Sequence, residues 1–430
     1  MPRYIVLCCP LSRRQMNSRQ LPSPPAPSQL HAWIIWASAT LLPIYQLAIQ
    51  IGFGSLQSAI GRDVNLSIVQ AAVVSGSFLV AYSLMQLPAG LLLDRFGPRI
   101  LLAISATLCG VSAWFFAESV SFSSLLVSRF ALGAFAAVGF PAAGLLGRRW
   151  IRPSCFVLSM GLIDFFFGLG AIGGEAGFAL LQDVGLSWRE IMNALAFVGI
   201  VIGVLCGIIV RDRPVGMDDR SSRVHLLDAM SVLLSNRQVL LAIVYYGGMI
   251  GVAFGFGGLW DIPLQEAYGF IGSDAVYLNS WLFVGIAVSA PVSGVLADRM
   301  ASRRPLLLLG PICALLGVCG LLFIPSILPY WLLVANLVFT GAFLGTSVAI
   351  FGVVCDAVPP RYEATTIGLV NAAGCMMGAV LQVLPGILLG SGDAYPLSLL
   401  QQVLSLNIVV LVFAAVAVLF LKEGARAEKG

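Results

Sequence analysis

The sequence predicts an all-α membrane protein of twelve transmembrane helices arranged as two pseudo-symmetric six-helix bundles. Three observations carry this prediction. Of the 430 residues, 59% are hydrophobic and only 10% charged, and the mean hydropathy is +0.95. A soluble protein carries about 25% charged residues, so no aqueous core could hide this apolar excess, and disorder and nucleic-acid binding are excluded. Apolar stretches near the roughly 20 residues that a helical crossing needs recur along the chain. The two halves also repeat one another at an offset of 204 to 207 residues.

Residues 1–31 read as a disordered cytoplasmic tail. They carry Arg3, Arg13, Arg14 and Arg19 and a Pro/Ser-rich run, with no short apolar core ending at a small-residue cleavage site. Either Met1 or Met16 is the start. The N-terminal bundle, 32–210, holds spans at 32–56, 68–89, 100–117, 122–147, 155–182 and 188–210. Residues 211–236 form a polar cytoplasmic linker, the longest polar segment between spans. The C-terminal bundle, 237–421, holds spans at 237–260, 271–297, 306–324, 328–354, 363–390 and 396–421, and a short tail, 422–430, closes the chain.

Orientation follows from the basic residues. With the N-terminus inside, twenty-one of the 24 Lys and Arg fall on the cytoplasmic side, Arg62 and Arg189 fall outside, and Arg129 is left within a span. Both termini are therefore expected in the cytoplasm, in a plasma membrane of the bacterial inner-membrane kind. Most of the nine Cys lie in apolar stretches without metal-type spacing, as reduced thiols acting as small apolar residues.

The repeat is visible in three places. After span 2 comes Gly90-Leu-Leu-Leu-Asp94-Arg95-Phe-Gly97-Pro-Arg99, and after span 8 comes Gly294-Val-Leu-Ala-Asp298-Arg299. Span 4 has Leu125-Leu-Val-Ser-Arg129 where span 10 has Leu332-Leu-Val-Ala-Asn336. Span 5 has Gly161-Leu-Ile-Asp164 where span 11 has Gly368-Leu-Val-Asn371.

With these residues the chain resembles the major facilitator superfamily over about residues 33–421. Arg129-x-x-x-Gly133 is similar to that family's second signature, and Trp188-Arg189 is usual at the start of span 6. Tyr82-Ser-Leu-Met-Gln86-Leu-Pro-Ala-Gly90 is similar to bacterial nutrient-uptake permeases of the phagosomal-permease kind. The resemblance implies a conformational gate of Gly90, Asp94, Arg95, Gly97 and Arg99, with Asp298 and Arg299 as its degenerate copy. Asp94 would face the N-terminal end of span 11, where free N–H groups attract an anion, and Arg95 and Arg99 would pair with acids or lipid phosphates. The second copy lacks the central glycine. Span 5 lacks the Gly-Pro pair of the family's drug antiporters, which speaks against an exporter.

The acids inside the spans go beyond the motif. Asp164 and Glu175 are eleven residues apart, so both project from one helix face about 16 Å apart, and Gln182 continues the stripe. Their repeat equivalents are the amides Asn371 and Gln382, and Asn336 stands for Arg129. Arg129 and Glu175 lie at similar depth, about 10 Å below the outer surface, and an ion pair between them is expected, because each buried alone costs several kcal/mol. Asp164 has no evident cation and is the expected proton carrier. Gln46, Gln50, Tyr245, Tyr246, Asn279 and Trp281 are expected to line the cavity with Asn336, Asn371 and Gln382. Gly374-x-x-x-Gly378 and the span 5 glycines permit close helix approach, so spans 5 and 11 are candidates for the surfaces that rock.

Amides and aromatics with few charges suit a neutral or zwitterionic metabolite. The expected function is secondary active, alternating-access, proton-coupled uptake of such a solute by a monomer, without cofactor or metal. Efflux or facilitated exchange is the alternative within transport, and a transporter-like sensor the alternative outside it. Enzyme chemistry is disfavoured: the two His, His31 and His225, lie outside the spans, and no G-x-S-x-G or nucleotide-binding G-x-x-x-x-G-K-[ST] occurs. Gly168-Leu-Gly170-Ala-Ile-Gly173 fits G-x-G-x-x-G but follows no strand.

Overall fold

The computed structural model describes residues 29–152, 156–214, 226–270, 272–300, 302–323, 329–359, 362–390 and 395–422. Among these, twelve helices are long and apolar enough to cross a membrane. They are α1 (Gln29–Val64), α2 (Ile68–Gly90), α3 (Pro98–Ala117), α4 (Phe122–Trp150), α5 (Ser159–Asp183), α6 (Trp188–Ile209), α7 (Arg237–Ala267), α8 (Ser273–Ala297), α9 (Arg304–Phe323), α10 (Tyr330–Asp356), α11 (Thr365–Leu389) and α12 (Leu397–Phe420). Below, the end of the bundle bearing the Arg-rich loops is the basic end, and the opposite end is the far end.

Local chemistry sets several boundaries. The three even spans of the first half start at the far end with a serine capping box: Ser67 with Gln70, Ser121 with Ser124, and Ser187 with Glu190. Each pair satisfies two of the N–H groups that a helix start leaves free. At the basic end the helix of α2 continues past its membrane-length span to Phe96 and stops at Gly97 (φ 79°), a backbone that only glycine adopts without strain. Two departures from the sequence reading occur at the edges. α1 begins at Gln29, inside the expected tail, and the helix Leu226–Ser235 occupies the C-terminal part of the expected linker. Both are apolar enough to pack although each is flanked by polar sequence. The rest of that tail (1–28), residues 215–225 and residues 423–430 lie outside the described residues.

Packing follows the repeat. α3 packs on α6 as α9 packs on α12, α2 on α4 as α8 on α10, and α1 on α5 as α7 on α11. The halves meet through α2 with α11 and α5 with α8, which exchange under the same symmetry. A Cβ at Gly133 in α4 would collide with the Phe78 carbonyl of α2, and one at Gly341 in α10 with the Leu282 carbonyl of α8. Each glycine lets two backbones touch at a repeat-equivalent place. Gly133→Ala and Gly341→Ala are each expected to destabilise by about 1–3 kcal/mol through overpacking, measured as a lower Tm in detergent. Gly168 seats the Ala287 methyl at the α5–α8 seam, and Gly76 lies against Val383 at the α2–α11 seam.

α5 and α7 are not regular. Gly173–Gly177 in α5 and Ala253–Trp260 in α7 are π-helical. A π turn shifts every following side chain around the axis and frees carbonyls from the i→i+4 ladder. Both irregular stretches lie toward the far end.

Candidate functional site

A polar layer crosses the middle of the bundle. The amides of Gln46 (α1), Gln86 (α2) and Asn371 (α11) surround the Tyr82 hydroxyl. From α7, the Tyr246 hydroxyl donates to Asn371 Oδ1 at 3.4 Å, and its ring packs on Phe351, centroids 4.9 Å apart. Residues from both halves thus meet in one hydrogen-bonding layer. Gln46 Oε1, Gln86 Nε2 and both side-chain polar atoms of Gln50 are buried without a partner. Free donors and acceptors of this kind are available to a polar solute. Tyr82 and Gln86 were not among the expected cavity residues, although the α2 motif contains both.

Arg129 is 1% exposed and is held from three sides. Nη1 donates to the Ile49 carbonyl and Nη2 to the Gln50 carbonyl, both at 2.9 Å. A carbonyl has two lone pairs and the helix uses one, so α1 can accept this fork without breaking. The guanidinium also lies 4.9 Å from the ring centroids of Phe53 and Phe78, a favourable cation–π arrangement. Its Nε has no partner. The expected Arg129–Glu175 ion pair is absent. Matching depth fixed the height of both residues but not their direction. Arg129 meets α1 at Ile49 and Gln50, whereas Glu175 meets it at Gly54 and faces the other half.

Asp164 lines a cavity of about 240 Å³ between the halves at the basic end. Met160 and Gly161 of α5, Pro291 and Gly294 of α8, Arg303 at the start of α9 and Phe351 of α10 share its wall. Phe351, in the same wall, packs on Tyr246, so the cavity abuts the central layer. Arg303 is already engaged with Asp356 at 2.8 Å.

The far end is closed. Ala179, Ile262, Ala275 and Val276 form an apolar plug from α5, α7 and α8. The Tyr277 hydroxyl donates to Asp183 Oδ2 at 2.9 Å, tying α8 to α5 across the seam. Tyr277→Phe is expected to favour opening at this end by about 1 kcal/mol, the net worth of one hydrogen bond, seen as roughly fivefold greater labelling of a far-end cysteine.

Behind that plug lies a second polar pocket. Glu175, Asp261, Gln265 and Asn279 are all fully buried. Asp261 and Asn279 are the polar neighbours of Glu175. Each amide spends an N–H elsewhere: Gln265 on Asp261 Oδ1 at 3.1 Å, Asn279 on the Gly257 carbonyl at 2.7 Å, and nearby Gln382 on the Phe254 carbonyl at 2.8 Å. The last two acceptors belong to the π stretch of α7. Asp261 and Gln265 escaped the sequence reading because the seventh span was ended at Trp260, a residue type common at membrane surfaces. Trp260 is instead buried, donating to the Gln382 carbonyl at 3.0 Å, and the helix runs on to Ala267.

Other expected site residues lie elsewhere. Trp281 is 39% exposed on the outer stripe of α8 with Val288 and Val292, facing away from the cavity. Asn336 accepts from Thr340 and turns to Gly317 of α9, inside the second half. Both were placed by span membership alone, which does not fix a helix face. Tyr245 is buried beside Thr346 of α10. At the expected gate, Gly90 faces open space, and Arg299 is exposed. The Arg99 amide donates to Asp212 Oδ1 and its Nε to the Gly207 carbonyl, both at 2.8 Å, so Asp212 caps α3. The side chains of Asp94, Arg95 and Asp298 lie outside the described residues.

Twelve membrane-length helices in two repeated halves, closed at one end around a buried polar layer, define a multi-pass membrane transporter. The Major Facilitator Superfamily sequence profile matches residues 35–382 and again 255–429. The chain belongs to that family. It is 26% identical over 340 residues to the "Probable nitrate/nitrite transporter NarK2" of Mycobacterium tuberculosis, covering 76% of this chain and 81% of that one. It is 24% identical over 363 residues to the "Nitrite extrusion protein" of Bacillus subtilis, covering 81% and 86%. Its fold matches a bacterial homologue of the lysosomal transporter Spinster, solved in an inward-facing, unoccupied conformation (TM-score 0.69, 17% identity, 92% and 97% covered). It also matches the nucleoside transporter NupG (TM-score 0.71, 13% identity, 90% and 100% covered). Its relatives are transporters, and the chain is not an enzyme.

Proposed function

We propose that this protein imports a small solute bearing one negative group, a monoanion or a zwitterion, together with protons by alternating access. The observation that carries this reading is Arg129, a buried guanidinium without a carboxylate partner beside a layer of amides and hydroxyls. One cation suits one carboxylate or oxyanion and disfavours a polyanion, which needs several. Relatives named for nitrate and nitrite fit the same chemistry, and they move the reading from a neutral solute toward an anionic one. Taking the basic end as cytoplasmic, the structure faces inward, both termini are cytoplasmic, and a single chain is the working unit. Asp164, at the junction of the cavity and the central layer, is the proton carrier. Asp94, Arg95, Gly97 and Arg99 gate the cytoplasmic end.

The test is uptake into proteoliposomes under an imposed pH gradient, with nitrate, nitrite, small monocarboxylates, amino acids and nucleosides as solutes. Accumulation of a singly charged or zwitterionic solute with the acid side outside is expected. Flux that ignores the gradient would replace proton coupling with facilitated exchange, and accumulation of nucleosides alone would remove the role given to Arg129.

A further inference from the structure

In the pocket behind the far-end plug, unpartnered oxygens outnumber the donors, since Gln265 and Asn279 each have only one further N–H. Glu175 Oε1 and Oε2, Asp261 Oδ2, Gln265 Oε1 and Asn279 Oδ1 are buried, and none of them accepts a hydrogen bond. Gln382 Oε1, on the other side of the α7 π stretch, is in the same condition. A buried oxygen without a donor costs about 1–3 kcal/mol, and more for a carboxylate. Two carboxyl groups from opposite halves, buried without any Lys or Arg among the described residues around them, add like-charge repulsion to that cost. Such a set is incomplete without something positive.

We propose that Glu175, Asp261, Gln265 and Asn279 form a binding site for a sodium ion, occupied when the far end is closed. The oxygen set favours a hard cation, which takes oxygen ligands in preference to nitrogen or sulfur. Among the described residues no group of three His, Cys, Asp or Glu converges, so a transition metal has no ligand set here. Protons would neutralise the two carboxyls one at a time, whereas a sodium ion takes several oxygens at once. Glu175 comes from α5 and Asp261 from α7, so the ion bridges the halves. Both sit at or beside π turns, which aim Glu175 at the seam and give the α7 carbonyls to Asn279 and Gln382. The site lies apart from the Asp164 cavity and from Arg129, so it holds or falls independently of the proposed solute and of proton coupling.

The test is thermal unfolding of the purified protein in sodium, potassium or choline chloride at matched ionic strength, with no transported solute present. Sodium is expected to raise Tm by several degrees over choline, and Asp261→Asn and Asn279→Leu are each expected to lose that shift. Asp164→Asn is expected to keep it, which separates this site from the proton carrier. Equal Tm in sodium and choline would overturn the assignment. So would a sodium shift that survives both pocket substitutions, or a response to pH with none to sodium, which would give the pocket to protons.

Discussion

Arg129→Lys is expected to cut uptake at least about 100-fold, the rate equivalent of roughly 2.7 kcal/mol, although the charge is kept. A lysine ammonium is a point donor and cannot fork across the Ile49 and Gln50 carbonyls as the guanidinium does. It would also lose much of the planar stacking between Phe53 and Phe78. Charged hydrogen bonds are worth about 1.5–3 kcal/mol each, so the variant is also expected to melt earlier in detergent. Arg129→Gln should be worse on uptake, since it removes the charge offered to the solute. Direct solute binding separates the two contributions. Weakened binding by folded Arg129→Lys protein supports a role in recognition, and unchanged binding with lower Tm reduces Arg129 to a tie between α1 and α4.

Asp164→Asn is expected to lower accumulation driven by a pH gradient at least about tenfold, the equivalent of ~1.4 kcal/mol of coupling, while leaving solute exchange intact. Asparagine keeps the shape of the group and its fit against the cavity wall of α8 and α10, but it cannot carry a proton. Counterflow between equal pools, with and without a gradient, reads the difference. A variant that accumulates solute as the native protein does would place the proton elsewhere.

The span plan was legible because hydropathy is a sum over many positions, and errors at single residues average out. The seams between the halves were partly legible for the same reason, since the glycines of α5 and α11 recur along a face. Direction around a helix was not. Arg129 and Glu175 share a depth, yet one points to α1 carbonyls and the other across the seam, with a π turn re-aiming the latter. Trp281 and Asn336 sit in the expected spans on other faces. Asp261 and Gln265 were lost to a helix end drawn about two turns too early at Trp260, whose indole hydrogen bond to Gln382 shows it to be interior. A surface tryptophan and a buried one look alike in sequence, and only the partner on α11 distinguishes them.

Alternating access itself is tested most directly by two cysteines read together. Met160→Cys reports the cavity at the basic end, and Ala179→Cys reports the plug at the far end. Each would be placed in protein whose native cysteines have been replaced, including Cys355 in the cavity wall. Labelling by a membrane-impermeant maleimide is followed as transported solute is added from either side. Reactivity at the two positions is predicted to move in opposite directions, with one rising as the other falls. Both rising together, or neither responding while solute is transported, would contradict two halves that open the same buried layer to one side at a time.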